Sequence, residues 1–568
     1  MTPGVGVRPR PVPDLWKPVE IRPVPLLVIA VPVFFLALGA NSIWDANEAF
    51  YVETARQMVI SGDYVNPSFN EQPRFNKPVL SYWIVAAAYH LLGVSVAAER
   101  LTIALGALGM IVGAWLIGRA LRSPLTGIVA ALVLATAPRI VFFARRIVID
   151  VYVALFMTIA LACFVLAERH PERRRRYLIL MYVALGLGVL TKGPIAIVIP
   201  AAACLAWLVT ERRLDDLRRL MIPTGTAIVL AITVPWYAAV YAGHGWEYIA
   251  FFFRDENLGR FTTALTTERS PGFFLFALFG DVLMPWAPLL LVPMLTAWRR
   301  RDPSADNEGG AIRRLLWWWI VVTVGIFSLS ASKEDLYILP AMPAAAVLIA
   351  DALVGSGFGA THRGVRALFA IVAVVSVAIG VLVAMYFTRG HYALAGAWVL
   401  AGLLAGAGVF AIVQLLRRRY EAAFLSLAGG FVAFNYLFVL IVLPDVERLK
   451  PGPAIATLVA DRASSAASLA SLHTDLPSLV FYTARPVERL PDADAAVRFL
   501  TDHAEAWLWM SDVEWQGLTA RVPEACVALR RPQFLAKGSD ILRGQPPPDV
   551  LVVTTACAGQ APPATRQR

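Results

Sequence analysis

Charged side chains are scarce in this chain: they make up 16% of its 568 residues, against roughly a quarter in an ordinary soluble domain. Apolar residues make up 58%, and the mean hydropathy is +0.62. This balance excludes a soluble globular protein and predicts a protein that crosses a membrane many times. The net charge of +11 comes from arginines in short loops between apolar runs, which indicates the cytoplasmic side of a membrane protein and not a nucleic-acid partner.

Lysine is scarcer still, since six of the 51 basic residues are lysines and the rest are arginines. Three of the six, Lys77, Lys192 and Lys333, lie where an apolar run meets a polar loop. The lysine ammonium is a compact point charge, whereas the arginine guanidinium is a planar fork. Lysines at these positions in an arginine-rich chain are therefore candidates for binding a charged ligand. Chance placement and snorkelling toward lipid headgroups are the alternatives.

The chain has four cysteines. Cys163 and Cys204 fall inside apolar runs, where we expect them to be packing residues. Cys526 and Cys557 fall in the polar C-terminal part, where an oxidising compartment would permit a disulfide. The sequence leaves their pairing open.

Apolar runs of about 17 to 25 residues, the length that spans a bilayer, occur fourteen times. They cover residues 25–44, 79–95, 97–120, 124–142, 149–167, 176–190, 193–210, 219–242, 273–298, 315–331, 336–354, 366–387, 392–416 and 422–443. Basic residues before the first run, followed by an apolar stretch too long for a signal-peptide core, predict an uncleaved anchor that starts in the cytoplasm.

Fourteen crossings contradict the positive-inside rule, because they put the arginine clusters at 169–176, 212–219, 299–301, 313–314, 362–366 and 417–419 outside. Omitting the run 79–95 returns all of them to the cytoplasm. This run carries a polar stripe of Tyr82, Tyr89 and His90, which suits a helix lying in the membrane interface. We therefore predict thirteen spans, with the loop 45–96 and everything after residue 444 outside.

Residues 445–568 differ in character, because their apolar runs have the length of strands. We predict strands at 478–482, 506–510, 526–529 and 549–553, and helices at 453–471 and 491–504. The predicted architecture is a transmembrane domain over 1–444 and a small α/β domain over 445–568. The last dozen residues resemble a disordered tail.

The predicted outer loops collect acids and cations at one membrane surface. Ionisable groups at that depth are costly, so a cluster of both signs indicates a site for a charged ligand. Transfer of a sugar from a lipid phosphate would need such a set. A carboxylate takes the proton of the acceptor, and cations stabilise the charge of the departing phosphate.

The same loops resemble the dolichyl-phosphate-mannose and aminoarabinose branch of the GT-C glycosyltransferases, over roughly residues 25–350. The matching motifs are Trp44-Asp-Ala-Asn-Glu-Ala-Phe-Tyr51, Ser61-Gly-Asp-Tyr64, Asn76-Lys-Pro78 with Tyr82-Trp83, Asp150 after Ala144-Arg-Arg146, Gly188-Val-Leu-Thr-Lys-Gly193, Pro235-Trp-Tyr237, Arg254-Asp-Glu-Asn-Leu-Gly-Arg-Phe261, Pro285-Trp286, and Ser332-Lys-Glu-Asp-Leu-Tyr-Ile-Leu-Pro340. The resemblance implies a GT-C fold and a sugar donor linked to a polyprenyl monophosphate.

Asn47 stands where this family usually has an aspartate, so the catalytic base is assigned among Asp45, Glu48 and Asp150. Asp45 is the first choice and Asp150 the second; capping of the following helices is the structural alternative for all three. The residues predicted to bind the donor phosphate or substrate are Arg74, Lys77, Tyr82, Lys192, Arg254, Arg260, Lys333 and Tyr337. Asn76 and Asn257 replace the glutamate and histidine that the family often has, so we expect no metal and no other cofactor.

The resemblance implies an inverting glycosyltransferase of the bacterial inner membrane that uses an undecaprenyl-phosphate sugar, with its site and C-terminal domain in the periplasm. The expected acceptor is lipid A or another glycolipid; a protein acceptor is the alternative. Two other classes stay open: a translocase of lipid-linked sugars and a scaffold for envelope assembly. A translocase should show internal repeats, and no repeat of 20 to 50 residues is visible. A scaffold needs no convergence of acids and cations.

Overall fold

The computed structural model describes residues 23–45, 47–263, 270, 272–296, 307–388, 390–533, 541 and 543–557. Most of the chain before residue 463 is helical. Its helices are α1 (Val24–Ala30), α2 (Asn47–Ser61), α3 (Leu80–Leu92), α4 (Val96–Leu121), α5 (Pro124–Thr136), α6 (Pro138–Phe143), α7 (Ile149–Arg169), α8 (Arg174–Lys192), α9 (Ile195–Thr210), α10 (Ile222–His244), α11 (Trp246–Phe251), α12 (Arg260–Thr262), α13 (Phe273–Phe276), α14 (Leu291–Thr296), α15 (Asn307–Leu329), α16 (Met342–Gly355), α17 (Arg363–Phe387), α18 (Ala397–Leu416), α19 (Tyr420–Leu437), α20 (Leu443–Val446) and α21 (Pro451–Arg462).

Eight helical segments of the described chain are long and apolar enough to cross a membrane. They are Val96–Leu121, Ile149–Arg169, Ile222–His244, Gly309–Leu329, Asp335–Gly355, Arg363–Phe387, Ala397–Leu416 and Tyr420–Leu449. Four shorter apolar segments, Val24–Phe34, Leu80–Leu92, Pro124–Thr136 and Ile195–Thr210, accompany them. The polytopic helical fold is thus confirmed, whereas the count of thirteen spans stays a prediction. The predicted N-terminal cytoplasmic segment lies outside the described residues.

Three of the predicted spans are not continuous helices. The run 25–44 is helical only as far as Phe34, and Arg145 donates to the carbonyls of Val33, at 3.0 Å, and Ala37, at 3.1 Å, so that the chain leaves the helix with these carbonyls bonded. The run 124–142 breaks before Pro138. The described part of the run 273–298, residues 273–296, is a series of short helical segments that contains Pro285, Pro288 and Pro293. Proline supplies no backbone N–H and disfavours helix in the residue before it.

Helices α7 and α8 form an antiparallel pair that sets the two ends of the membrane domain apart. Asp150 lies in the first turn of α7 and Lys192 is the last residue of α8. At the far ends of the same helices, Glu168 pairs with Arg174 at 2.9 Å and with Arg213 at 2.7 Å. A helix of 21 residues is about 30 Å long. Asp150 and Lys192 therefore lie at the opposite end of the α7–α8 pair from Arg174 and Arg213, which belong to two of the arginine clusters.

Helix α3, the segment predicted to lie in the interface, has 13 residues. Its predicted polar stripe does not face headgroups as a unit, because Tyr82 and Tyr89 are buried and only His90 is exposed. Tyr89 donates to Glu99 at 2.7 Å in the protein interior. The two tyrosines therefore serve packing inside the membrane domain, and the prediction that this segment does not cross the membrane is untested.

The C-terminal part forms a five-stranded mixed sheet with helices, as expected for a small α/β domain. A two-stranded hairpin, β1 (Ser68–Phe69) and β2 (Gln72–Pro73), precedes it in the chain. The sheet comprises β3 (Ser468–Leu472), β4 (Glu488–Leu490), β5 (Ala506–Ser511), β6 (Cys526–Pro532) and β7 (Asp549–Thr554) in the order β4-β3-β5-β7-β6, with α22 (Ser478–Thr483), α23 (Ala493–Asp502) and α24 (Asp512–Leu518) between strands. Strands β4, β3 and β5 are parallel; β7 is antiparallel to β5 and β6.

Three predicted strands, β5, β6 and β7, and the helix α23 are confirmed. The strand predicted at 478–482 is wrong, because this segment is helix α22, and the helix predicted at 453–471 ends at Arg462 and is followed by strand β3. Short apolar runs do not distinguish a strand from a buried helix by periodicity. Cys526 and Cys557 form a disulfide, and Cys163 and Cys204 are free thiols inside α7 and α9. The predicted tail from residue 558 lies outside the described residues, and the domain boundary at residue 445 stays a prediction.

The sheet domain contacts the loop that follows the first apolar segment. The backbone N–H of Ile43 donates to the Tyr482 hydroxyl at 2.6 Å, and Asp45 accepts from the backbone N–H of Ser478 at 3.0 Å. In the hairpin, Asn70 exchanges two hydrogen bonds of 2.8 Å with the backbone of Val487. The segment 41–45 is therefore fixed from the C-terminal side as well as from the membrane domain, where Arg100 donates to the carbonyls of Asn41 and Ser42.

Candidate active site

A cavity of about 420 Å³ lies between the loop 74–77, the start of α7, the end of α8, the turn around α12 and the segment after α15. Its lining is rich in charge. Four cations and three carboxylates of the described residues face it, namely Arg74, Lys77, Lys192 and Arg260 with Asp150, Glu256 and Glu334. Apolar side chains, among them Val148, Ile195 and Phe327, complete the wall. Such a cavity can hold an anionic group and an apolar neighbour together.

Asp150 and Lys192 form an ion pair on one wall of the cavity. Val148, and not Asp150, occupies the cap position of α7, so the capping role considered for Asp150 is excluded. Lys192 ends α8 because Gly193 follows at φ +94°, where a side chain would be strained and its Cβ would come within 2.7 Å of Phe252. The Lys192 ammonium also lies 4.3 Å from the centroid of the Tyr337 ring. Tyr337 thereby packs against the cation at the cavity wall.

A second ion cluster lines the cavity around Glu256. Its carboxylate accepts from Lys77 at 2.6 Å, from Arg260 Nε at 2.9 Å and from Asn76 Nδ2 at 2.9 Å. Glu256 belongs to a π-helical turn, Phe252–Gly259, and Arg260 begins the next helical turn four residues later. Hydrogen bonds from the segment after α15 hold this turn, since Ser332 N donates to the Arg260 carbonyl at 3.1 Å.

The protonation states of this cluster follow from burial and from the neighbouring charges. Burial lowers the pKa of the Lys77 ammonium to about 8, and Arg260 and Lys192 act in the same direction, while Glu256 opposes them. Burial by itself would raise the pKa of Glu256, but Lys77, Asn76 and Arg260 together hold it at about 2. At neutral pH Glu256 is therefore ionised, and Lys77 keeps its proton with a small margin.

Two further predicted residues border or support the cavity. Arg74 lines it, and its guanidinium lies 4.0 Å from the centroid of the Phe50 ring. Tyr82 is not a lining residue: it is fully buried and stacks on Tyr51, with ring centroids 5.6 Å apart, and Tyr51 is the ring that faces the cavity. Tyr82 therefore supports the wall from behind Tyr51, and its role as a ligand stays a prediction.

Asp45, predicted as the first choice for the base, lies away from the cavity lining. Its carboxylate is bonded to Ser478 of the sheet domain, and burial raises its pKa. Glu48 is not a lining residue either: its side chain is inaccessible and forms a two-pronged ion pair with Arg100, with both N···O distances 2.9 Å. Glu48 further accepts from the backbone N–H groups of Trp44 and Ile147. This carboxylate holds the loop and is not directed to a substrate.

Two of the predicted cations are also outside the lining. Arg254 is exposed and pairs with Asp255. Lys333 is buried, and its ammonium donates to the Ser330 carbonyl at 2.5 Å, which closes the turn after α15. The side chain of Asn47 lies outside what the structure describes. The predicted residues that the structure brings together are thus Asp150, Arg74, Lys77, Lys192, Arg260 and Tyr337.

Residues 25–249 match the family described as dolichyl-phosphate-mannose-protein mannosyltransferase. The undecaprenyl phosphate-alpha-4-amino-4-deoxy-L-arabinose arabinosyl transferase 2 of Pseudomonas fluorescens is 27% identical over 87% of this chain and 86% of its own length. A second such transferase, from Edwardsiella ictaluri, is 30% identical over 57% of this chain and 58% of its own length. These similarities indicate a glycosyltransferase related to both groups of transferases.

The fold of a solved structure agrees with this assignment. The crystal structure of ArnT from Cupriavidus metallidurans bound to undecaprenyl phosphate superimposes with a TM-score of 0.79 and 24% identity, covering 95% of this chain and 99% of that one. The glycosyltransferase described here therefore shares the fold of that structure over 95% of its chain.

The main site residue of this glycosyltransferase that sequence reasoning missed is Glu256. A signal was present, because Glu256 and Arg260 are four residues apart in a predicted outer loop, the spacing at which side chains on a helix meet. The sequence predicts for Asn76 only the absence of a metal ligand. In the structure its side-chain amide donates a hydrogen bond to Glu256. Tyr51 and Glu334 lie inside two of the matching motifs, but neither was predicted as a site residue.

Proposed function

We propose that this glycosyltransferase transfers a sugar from a polyprenyl phosphate, with undecaprenyl phosphate as the lipid, to an acceptor of the bacterial envelope, and that it inverts the anomeric carbon. The observation that carries the proposal is the cavity in which the Asp150–Lys192 pair and the Lys77–Glu256–Arg260 cluster meet. The names of the two transferase relatives support the donor class. The proposal includes an inner-membrane location with the cavity facing the periplasm.

The chemistry assigns one role to each side of the cavity. The acceptor hydroxyl or amine attacks C1 of the sugar, and the Asp150 carboxylate takes its proton. The bond between C1 and the phosphate oxygen breaks, and its electron pair stays on the lipid phosphate. Lys77, Arg260 and Lys192 stabilise the added negative charge. Because an ammonium has three N–H donors, Lys192 can contact Asp150 and a phosphate oxygen at the same time.

Asp150 replaces Asp45 as the proposed base, since Asp150 lines the cavity and Asp45 is held by the sheet domain. In the purified protein, Asp150→Asn should lower turnover by about 10² to 10⁴-fold while binding of the donor lipid persists, the usual effect of removing a general base. Asp45→Asn is the matched control and should keep turnover close to wild type. If Asp45→Asn is inactive with donor bound while Asp150→Asn turns over, the assignment is reversed.

The acceptor is proposed to be lipid A or another glycolipid, in keeping with the aminoarabinose transferases among the relatives. A protein acceptor is the second candidate, favoured by the mannosyltransferase family that residues 25–249 match. Mass spectrometry of envelope lipids and of glycoproteins from a deletion strain tests both. Loss of a sugar from the lipid fraction supports the first candidate, and loss from glycoproteins alone supports the second. Independence from metals stays a prediction.

A further inference from the structure

The cations that would bind the donor phosphate are already bonded to carboxylates. Lys77 and Arg260 both contact Glu256, and Lys192 contacts Asp150. Glu256 takes a donor from each cation and one from Asn76, so that its two oxygens accept the bonds that phosphate oxygens would accept. A carboxylate and a phosphate carry the same kind of acceptor oxygen and compete for the same N–H groups.

Burial of this cluster strengthens the interaction of Glu256 with Lys77 and Arg260. The side chains of Lys77 and Glu256 are 14% and 8% exposed, and that of Arg260 is 36% exposed. Charges that are largely removed from water interact more strongly than charges at an open surface. Glu256 leaves the three-residue cluster with one net positive charge in place of two. That net charge matches a monoanion better than a dianion.

Donor and product differ in this respect under the proposed function. A lipid phosphate esterified to a sugar is a diester with one negative charge. Transfer of the sugar leaves a monoester, whose charge is about −1.5 to −2 at neutral pH. Two uncompensated cations would therefore retain the product more tightly than the donor. A competing carboxylate reduces this preference.

We propose that Glu256 is a built-in competitor for the phosphate-binding cations and that it promotes release of the lipid monophosphate product. Before and after the reaction its carboxylate occupies Lys77 and Arg260. When the donor is bound, the phosphate shares the two cations with it. This proposal rests on the proposed donor class and assigns Glu256 a role in release, and none in the making or breaking of bonds.

The test is the binding of undecaprenyl phosphate to purified full-length protein in detergent. Glu256→Gln keeps the shape of the side chain and its acceptor oxygen but removes the charge. The affinity for undecaprenyl phosphate should rise by about tenfold or more, the change that one charge-assisted hydrogen bond provides. Inhibition by added undecaprenyl phosphate should strengthen by a similar factor. Both kcat and the KM for the donor should fall, because slow release limits turnover.

Three comparisons separate this role from a structural one. Glu256→Asp keeps the charge and should return affinity and kcat toward wild type. Glu211→Gln removes a carboxylate of similar burial, paired with Arg314 at 2.8 Å in the arginine-rich loops, and should change neither. The effect of Glu256→Gln is also measured in a Lys77→Arg background. Because a guanidinium stays charged, a gain in affinity that persists there does not arise from the proton of Lys77.

Weaker or unchanged binding of undecaprenyl phosphate by Glu256→Gln, with a melting temperature like that of wild type, would overturn the proposal and make Glu256 a support that positions the cations. If Glu256→Gln does not fold, Glu256→Asp is measured in its place. A tenfold gain in the affinity of Glu256→Asp for undecaprenyl phosphate would also overturn the proposal. Failure of the wild-type protein itself to bind undecaprenyl phosphate would overturn the proposed donor class, and this inference with it.

Discussion

Lys77 is the cation of the cavity whose charge changes within an accessible pH range. Burial lowers its pKa to about 8, so the ammonium is present below that value and is lost as the pH rises through it. The phosphodiester of the donor does not titrate there. We expect kcat/KM for the donor to be about tenfold lower at pH 9 than at pH 7, since this ratio reports the free enzyme.

The Lys77→Arg variant separates this effect from other titrations. Its guanidinium keeps the charge over the whole range, so its profile should stay flat where the wild-type profile declines. The measurement is initial rate at low donor concentration across the pH range. An identical decline in both proteins would show that another group controls the alkaline limb.

Asp45 and Asp150 show what the sequence can and cannot predict about the site. Both are acids at the boundary of an apolar run, and the sequence places both in outer loops. The structure separates them through a contact with Ser478, which lies 433 residues from Asp45 along the chain. Motif and charge pattern thus predict six of the cavity residues, whereas the rank of the two acids depends on long-range packing.

Helices α17 and α18 approach each other closely at two glycines. A Cβ at Gly408 of α18 would lie 2.5 Å from the Ala373 carbonyl oxygen, and one at Gly380 of α17 would lie 2.6 Å from the Ala401 carbonyl oxygen. These contacts are with backbone, which cannot rotate away. Small residues at helix crossings are the usual means of close packing in a membrane.

Gly408→Ala should therefore force the two helices apart and cost about 1 to 3 kcal/mol of stability, as overpacking does. Gly402→Ala is the matched control on the same helix, because no atom lies within 4 Å of its added Cβ. The control should be neutral or slightly stabilising, since alanine favours helix over glycine by up to about 1 kcal/mol. Thermal unfolding in detergent measures both. Equal melting temperatures would contradict the assigned packing.

At the level of elements, hydrophobic length predicts most helices but not the breaks within them. The run 25–44 has the composition of one span, yet its helix ends at Phe34. Arg145 donates to two carbonyls of the run, those of Val33 and Ala37. Likewise, the segment 478–482 reads as a strand and forms α22, whose Leu479 and Val480 are buried. Both segments have contacts that are distant in sequence: Arg145 bonds to the run 25–44, and residues 43 and 45 bond to α22. The local sequence pattern does not predict such contacts.

For the whole molecule, the two ends of the α7–α8 pair predict a polarity. The cavity lies at one end, and Arg174 and Arg213, from two of the arginine clusters, lie at the other. Under the positive-inside rule the cavity end faces away from the cytoplasm. Cysteines introduced at Ser68 and Ser478, in an otherwise cysteine-free background, should therefore both be labelled by an impermeant reagent added from outside.

A control cysteine at Arg417, in an arginine-rich loop, should be labelled only after the membrane is opened. Ser478 is buried in the folded protein, so labelling there is measured after mild denaturation of intact cells or at the neighbouring exposed Ala484. Outside labelling at one of the two positions 68 and 484 and inside labelling at the other would refute the thirteen-span count.

The contacts between the sheet domain and the segment 41–45 limit how chimaeras of such enzymes can be made. Tyr482 and the backbone of Ser478 bond to Ile43 and Asp45, and Glu447 bonds to Asn41 and Ser42. The C-terminal domain is therefore not an interchangeable module joined at residue 445. A chimaera that borrows this domain from a relative must borrow the segment 41–45 with it, since the two pieces share one interface.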